Sequence, residues 1–188
     1  MRPTENFESE WKSGQKGGVP KTLDPHLLAS AREVAGRLPN LLAYVVIHEG
    51  ILVDDYFAEI SSAQTKHHIR SITKSVTSAL VGIAMELGYI QNLDAPVLNY
   101  LPEYSCREQD ARKAQLTLRH LLTMTAGFAW NEQDSDLVYN WFFDGTHAAL
   151  YEALDRPFLH NPGAVFNYDS PAADLIAAIL ARATQRDL

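Results

Sequence analysis

Serine and lysine side chains three residues apart could act as a nucleophile and its base, and this sequence holds three such Ser-x-x-Lys pairs. A serine hydroxyl is a weak nucleophile until a base takes its proton. A lysine accepts that proton only as the neutral amine, which burial or nearby positive potential favours. The pairs that begin at Ser9 and Ser13 lie in a polar stretch where nothing would hold them. The third pair, Ser71 and Lys74, lies where a polar loop turns into an apolar helix, so Ser71 is the candidate nucleophile.

The helix predicted from Ser71 would place both side chains of this pair on one face, within reach of each other. Its N-terminus would supply positive potential, and the backbone N–H of Ser71 would be free to donate to an oxyanion. A different interpretation needs no chemistry: Ser71 caps the helix, and Lys74 is a solvated side chain in its first turn. The Ser-x-x-Lys motif taken alone favours this capping interpretation.

The sequence shows no comparable motif for a nucleophile elbow, for nucleotide binding or for metal binding. The sequence contains no G-x-S-x-G, no P-loop, no G-x-G-x-x-G and no H-E-x-x-H. His67 and His68 are adjacent and would point to opposite sides of an extended segment, which makes them poor joint metal ligands. The single cysteine, Cys106, excludes an intrachain disulfide and a cysteine-based zinc cluster. We therefore expect no metal and no cofactor.

Composition narrows the possible partners. The 188 residues carry a formal charge of -7, and the isoelectric point is near 5.4, which argues against a nucleic-acid partner. No apolar run approaches the roughly 18 residues of a membrane span, and the first 25 residues lack the apolar core of a signal peptide. These features predict a cytoplasmic protein with no membrane partner.

Hydrophobic periodicity predicts a polar arm over residues 1–21, followed by helices and one β-hairpin. Asp24 and Pro25 begin a helix, and residues 41–47 and 51–60 form a hairpin around Gly50. The helix over residues 71–87 is apolar on nearly all sides, which predicts a central, buried position. Further helices are predicted over residues 118–125 (capped by Thr117), 147–154 and 171–183.

Four segments in consistent order resemble the serine β-lactamase and penicillin-binding protein superfamily, especially its class C-like esterase and 6-aminohexanoate-dimer-hydrolase branch. They are IRSITKSVTSALVGIAMEL at 69–87, GYIQNLDAPVLNYLPEY at 88–104, LTLRHLLTMTAGF at 116–128 and PGAVFNYDSPAADLIAAI at 162–179. With the hairpin, the resemblance covers about residues 41–183. It implies an α+β, β-lactamase/transpeptidase-like fold. Residues 22–188 would supply its first antiparallel hairpin and helical subdomain, with the C-terminal strands missing.

The resemblance also implies roles for individual residues. Ser71 would be acylated by a substrate carbonyl, and Lys74 would accept its proton or activate it electrostatically. The tripeptide YDS at 168–170 stands where this branch has Tyr-x-Asn, so Tyr168 would be a general base or acid near Ser71. Ser170 departs from the Asn, and its shorter hydroxyl could still bond Lys74. Ser170 could equally cap the helix that begins at Pro171.

Aromatic side chains, Trp130 and Trp141 among them, lie in a region that borders the acyl pocket in the family. They could form an apolar wall for a substrate. The plainer interpretation, that they pack into a local core, is favoured over this one.

The family's third motif, Lys-Thr-Gly or a His/Trp-x-Gly variant on a strand, is not found after Tyr168. We therefore expect the rest of the sheet to come from a C-terminal portion or from another chain. Two functions follow. One is an acyl-serine hydrolase acting on a small-molecule ester, amide or β-lactam carbonyl. The other is a truncated or degenerate, non-catalytic domain that only binds ligands or partners.

Overall fold

A computed structural model of the chain describes residues 23–107, 110–134 and 149–186. These residues belong to two compact units, Met1–His68 and Ile69–Leu188. The polar arm predicted for residues 1–21 lies outside the described residues, so the predicted division into an arm and one domain over 22–188 stays a prediction.

The first unit begins with helix α1, Pro25–Arg37, which is capped as predicted. The Asp24 carboxylate accepts a hydrogen bond from the backbone N–H of His26, at 2.8 Å. Arg32 and Asp54 form an ion pair of 2.5 Å between α1 and the hairpin. On the predicted apolar face of α1, Ala35 is buried and Leu28 is partly buried, whereas Leu27, Val34 and Leu38 are exposed.

The predicted hairpin is confirmed, with strands β1 (Ala43–His48) and β2 (Ile51–Phe57) paired antiparallel. The turn residues Glu49 and Gly50 have φ angles of 51° and 77°. Two successive positive φ angles match the twist of a tight hairpin turn, and Gly50 adopts its angle without a steric cost. At the open end of the hairpin, β1 begins at Ala43 instead of residue 41, and β2 ends at Phe57 instead of residue 60.

The second unit is helical. Its α-helices are α2 (Ile72–Glu86), α3 (Leu118–Leu122), α4 (Ala149–Asp155) and α5 (Ser170–Thr184). Short 3₁₀ helices at Val97–Tyr100, Pro102–Arg107 and Ala111–Gln115 link α2 to α3. None of the helices in the described ranges combines the length and apolar character that a membrane crossing requires.

Helix α5 is the centre of this unit, because α2, α3 and α4 all pack against it. Its predicted apolar residues, Leu175, Ile176, Ile179 and Leu180, are buried. They join Leu118 and Leu121 of α3, Leu154 of α4, Phe128 and Val81 in one apolar cluster. Burial of this cluster supplies the main apolar stabilisation of the unit.

The prediction that the helix after Ser71 is central and buried is wrong. Val81 and Ala84 of α2 are buried, but Val76, Ile83 and Leu87 are 48%, 51% and 66% exposed. The face of α2 that carries Val81 and Ala84 packs on the second unit's core, and the described residues leave the other apolar faces open to solvent. Gly88 adopts a φ of 79° and ends the helix, as predicted.

Helix α3 is shorter than predicted and has a reciprocal N-terminal cap. Thr117 accepts from the backbone N–H of His120, and the His120 ring accepts from the backbone N–H of Thr117. The helix ends at Leu122 because Met124 takes a left-handed backbone, with a φ of 56°. The helix therefore ends three residues before the predicted end at Thr125.

The loop that leaves α3 runs beside the loop that enters α5. Backbone hydrogen bonds join Gly127 to Leu159, Ala129 to Pro157, Thr125 to Gly163 and Met124 to Asn167, at 2.7–2.9 Å. The Asn167 side chain also donates to the backbone carbonyl of Trp130, at 2.9 Å. We refer to this pair of segments, 124–130 and 157–167, as the paired loops. They fix the chain on either side of the candidate site.

Candidate active site

Ser71 precedes α2 without capping it. Its backbone is already helical, with φ -68° and ψ -3°, and its side chain makes no capping hydrogen bond. The preceding residue, Arg70, has a left-handed backbone with a φ of 50°. The capping interpretation of Ser71 is therefore wrong, and its exposed hydroxyl is available to other groups.

Lys74 lies one turn into α2 and connects two serines that are distant in sequence. Its Nζ is 3.0 Å from the Ser71 hydroxyl oxygen and 3.2 Å from the Ser170 hydroxyl oxygen. The side chain is half-buried, so the solvated lysine of the capping interpretation is also not what the structure has. The i, i+3 spacing accounts for the contact with Ser71, and the packing of α2 on α5 accounts for the contact with Ser170.

Tyr168 contacts the same lysine through its ring. The Lys74 Nζ lies 5.1 Å from the centroid of the Tyr168 ring, within the range of a cation–π contact. The predicted site residues Ser71, Tyr168 and Ser170 thus lie together around the Lys74 Nζ.

Ser170 is the first residue of α5 and does not cap it. Asp169 is the N-cap, and its carboxylate accepts from the backbone N–H of Ala172 at 2.9 Å. The capping alternative for Ser170 is wrong. Instead, the Ser170 hydroxyl donates to the Glu132 carboxylate at 2.6 Å, a short charge-assisted hydrogen bond.

Glu132 is a site residue that the sequence did not single out. Its carboxylate also accepts from the indole Nε1–H of Trp130 at 2.5 Å and from the backbone N–H of Ser170 at 3.2 Å. A single glutamate in a loop carries no motif, and the contact joins residues 38 positions apart. Only the position of the two loops brings them together.

The two tryptophans predicted to line a substrate wall have different outcomes. Trp130 is 7% exposed, and the Arg156 guanidinium carbon lies 5.4 Å from its ring centroid. This burial favours the packing interpretation over a wall that faces substrate. Trp141 lies outside the described residues, so its predicted role stays a prediction.

An ion pair between Arg156 and Asp169 anchors the start of α5. The two groups are 3.0 Å apart, and their side chains are 12% and 3% exposed. Burial raises the pKa of the Asp169 carboxyl, and the nearby Arg156 opposes this change. Burial likewise lowers the pKa of Arg156, which stacks 4.7 Å over the Phe128 ring. The ion pair therefore fixes the position of Asp169, which immediately precedes Ser170.

Among the described residues, no three His, Cys, Asp or Glu side chains come close enough to hold a metal ion. The donor groups around Lys74 are instead hydroxyls, an aromatic ring and one carboxylate. Such groups are suited to moving protons between oxygen and nitrogen atoms.

Comparison with known proteins identifies the family. The family profile described as Beta-lactamase matches residues 25–188. The chain belongs to the beta-lactamase family. This membership confirms the predicted superfamily, and with it the α+β, β-lactamase/transpeptidase-like fold.

The chain is similar in sequence to an esterase. Esterase EstB of Burkholderia gladioli is 33% identical over 134 residues, which are 66% of this chain and 34% of the esterase.

Solved structures share the fold. A protein from Bacillus anthracis assigned as a 6-aminohexanoate-dimer hydrolase superposes with a TM-score of 0.63 at 20% identity, over 77% of this chain and 40% of that protein. D-alanine carboxypeptidase AmpC from Burkholderia cenocepacia superposes with a TM-score of 0.57 at 22% identity, over 85% of this chain and 45% of that protein. The chain thus spans between a third and a half of the length of these three proteins.

Proposed function

We propose that this protein is an acyl-serine hydrolase that acts on small-molecule esters, amides or β-lactams. The observation that carries the proposal is the 3.0 Å contact between the Ser71 hydroxyl oxygen and the Lys74 Nζ. A serine hydroxyl that contacts an amine and does not serve as a helix cap has the arrangement of an activated nucleophile. The shared family and the likeness to esterase EstB support a hydrolytic role.

In the proposed reaction, the neutral Lys74 amine takes the proton of the Ser71 hydroxyl as its oxygen attacks the substrate carbonyl carbon. The resulting oxyanion is stabilised by the backbone N–H of Ser71, at the positive end of α2. The tetrahedral adduct collapses, the bond to the leaving group breaks, and the leaving alkoxide or amine receives a proton. Water then attacks the acyl-serine ester and releases the acid.

Tyr168 is the second proton-transfer group in this proposal, because its ring lies against Lys74, the base of the nucleophile. In the proposed reaction the Tyr168 hydroxyl passes its proton to the leaving group, and the resulting phenolate takes a proton from the attacking water. Lys74 returns its proton to the Ser71 oxygen as the acid leaves. Ser170 bonds to Lys74 and holds the amine between the two serines.

A chromogenic ester tests the proposed function. The purified protein, mixed rapidly with p-nitrophenyl acetate, is expected to release p-nitrophenol in a burst that is stoichiometric with protein, because we expect hydrolysis of the acyl-serine to be slower than its formation. Ser71→Ala should abolish the burst. Ser75→Ala, which removes an exposed hydroxyl one turn further along α2, should retain it.

An equal burst in Ser71→Ala and wild type would refute the role of Ser71. A folded wild-type protein that releases no p-nitrophenol from this or from longer-chain esters would favour the non-catalytic alternative.

A further inference from the structure

We propose that Glu132 is a positioning residue that keeps the Lys74 amine directed at Ser71. This inference rests on the proposed function and concerns how its base is oriented. It arises from the chain of hydrogen bonds that runs from Trp130 through Glu132 and Ser170 to Lys74.

The argument begins with the single proton of the Ser170 hydroxyl. A hydroxyl donates one hydrogen bond and accepts others through its lone pairs. The Ser170 oxygen lies 2.6 Å from a Glu132 carboxylate oxygen and 3.2 Å from the Lys74 Nζ. A carboxylate accepts only, so the Ser170 proton points to Glu132. Toward Lys74, the Ser170 oxygen is therefore an acceptor.

The direction of the hydrogen bond between Ser170 and Lys74 determines whether the lysine lone pair is free to accept a proton. A neutral amine has two N–H bonds and one lone pair. When an N–H donates to Ser170, the lone pair remains available for the proton of Ser71, whose oxygen lies 3.0 Å away. If the Ser170 hydroxyl were free to turn, it could donate to that lone pair and so occupy the base. Glu132 prevents the reversal.

Glu132 is itself held by two groups that can only donate hydrogen bonds. The Trp130 indole N–H and the Ser170 backbone N–H are obligatory donors, and both point at the same carboxylate oxygen. Trp130 is buried, and its carbonyl is bound by Asn167 of the paired loops. The carboxylate is therefore oriented before any substrate arrives, as an efficient site requires.

Glu132→Gln tests this role because it keeps the size of the side chain and removes the acceptor at one position. With the amide oxygen facing the two N–H donors, the amide NH₂ faces the Ser170 oxygen. The NH₂ then donates to that oxygen, and the Ser170 proton turns toward Lys74. We expect the maximal rate of Ser71 labelling by a fluorophosphonate, kinact, to fall by about tenfold or more, with KI unchanged.

A double-mutant cycle separates this mechanism from general damage to the site. Ser170→Ala removes the hydroxyl through which Glu132 is proposed to act. On that background Glu132→Gln should cause no further loss of kinact, because both changes interrupt the same series of hydrogen bonds. Glu152→Gln, at an exposed position on α4, is the matched control and should label like wild type.

Two labelling results would overturn the proposal. Equal kinact in Glu132→Gln and wild type overturns it and leaves the proposed function standing. Additive losses in the double variant also overturn it, because they show that Glu132 does not act through Ser170.

If wild type is not labelled at all, the proposed function fails, and the NMR shift of the Lys74 Cε tests the role of Glu132 instead. A shift that changes in Glu132→Gln, but does not change further when Ser170→Ala is also present, supports the series of hydrogen bonds from Glu132 to Lys74. A shift that is unchanged in Glu132→Gln overturns the proposal.

Discussion

Ser71 illustrates how a common residue at a helix start acquires a different role. A serine in this position most often caps the helix through its hydroxyl, but here the backbone is helical at Ser71 and no capping bond forms. The hydroxyl contacts Lys74 instead. Ser170, at the start of α5, shows the same pattern, because Asp169 takes over the capping bond. Two serines that make no capping hydrogen bond therefore both contact Lys74.

Loss of the lysine is the most direct test at the scale of single residues. Lys74→Ala removes the base and the contact to both serines, and we expect the rate of Ser71 labelling by a fluorophosphonate to fall by a factor of about 10² to 10⁴. Lys12→Ala, in the first Ser-x-x-Lys pair of the sequence, is the matched control. Similar rates in both variants, measured by gel fluorescence over time, would show that the wrong pair was chosen.

The sequence predicted part of this residue-scale picture. The contact of Ser71 with Lys74 follows from their i, i+3 spacing on a helix. Tyr168 and Ser170 were reached only through the resemblance to the family, because nothing local marks a loop tyrosine or a helix-start serine. Glu132 was not predicted, since its contacts to Ser170 depend on two loops that are brought together by tertiary structure.

At the scale of secondary structure elements, the paired loops carry the geometry of the site. The segment 124–130 leads to Trp130 and Glu132, and the segment 157–167 leads to Tyr168 and Ser170. Gly127 is the point of closest approach, because a Cβ placed there would lie 2.5 Å from the backbone oxygen of His160. Its φ of 89° is also one that other residues rarely adopt.

Gly127→Ala should therefore destabilise the protein by about 2 kcal/mol or more, because backbone strain and overpacking add together. The urea midpoint of unfolding measures the change. Gly82→Ala in α2 is the matched control, because a Cβ there meets open space. That substitution should stabilise the helix by about 0.5–1 kcal/mol. A loss of stability in both variants would mean that the close approach at Gly127 is not the cause.

The ion pair at the start of α5 predicts a dependence of stability on pH. Burial raises the pKa of Asp169 in the folded protein, and Arg156 opposes that rise. A carboxyl group whose pKa is raised on folding contributes its stability below its ordinary pKa, near 3.8. The contribution is lost as the pH rises through the folded value. Arg156→Met removes the opposing charge, so the loss should become larger.

We expect the melting temperature of Arg156→Met, relative to wild type, to be lowest at pH 7 and to recover as the pH approaches 4. Removal of one partner of a buried pair costs about 3–5 kcal/mol when the other remains charged. Arg182→Met, which removes a more exposed arginine from α5, should show a smaller deficit without this trend. A deficit in Arg156→Met that is the same at pH 4 and pH 7 would contradict the burial of an ionised Asp169.

At the scale of the whole molecule, the order of helices was easier to predict than their burial. The starts of α1 and α3 were predicted from their caps, and the hairpin from its turn. The exposed faces of α2 were not predicted, because periodicity shows that a face is apolar but not which element covers it. The central position belongs to α5, whose sequence pattern is no more apolar than that of α2.

The central claim, that Ser71 is an acylated nucleophile, is tested most directly by locating a covalent adduct. The purified protein is treated with a fluorophosphonate, which transfers its phosphonyl group to an activated serine and releases fluoride, and is then digested and analysed by mass spectrometry. We predict one phosphonyl group on the peptide that contains Ser71, and none after prior denaturation. A folded protein that carries no adduct, or an adduct on a residue other than Ser71, would contradict the claim.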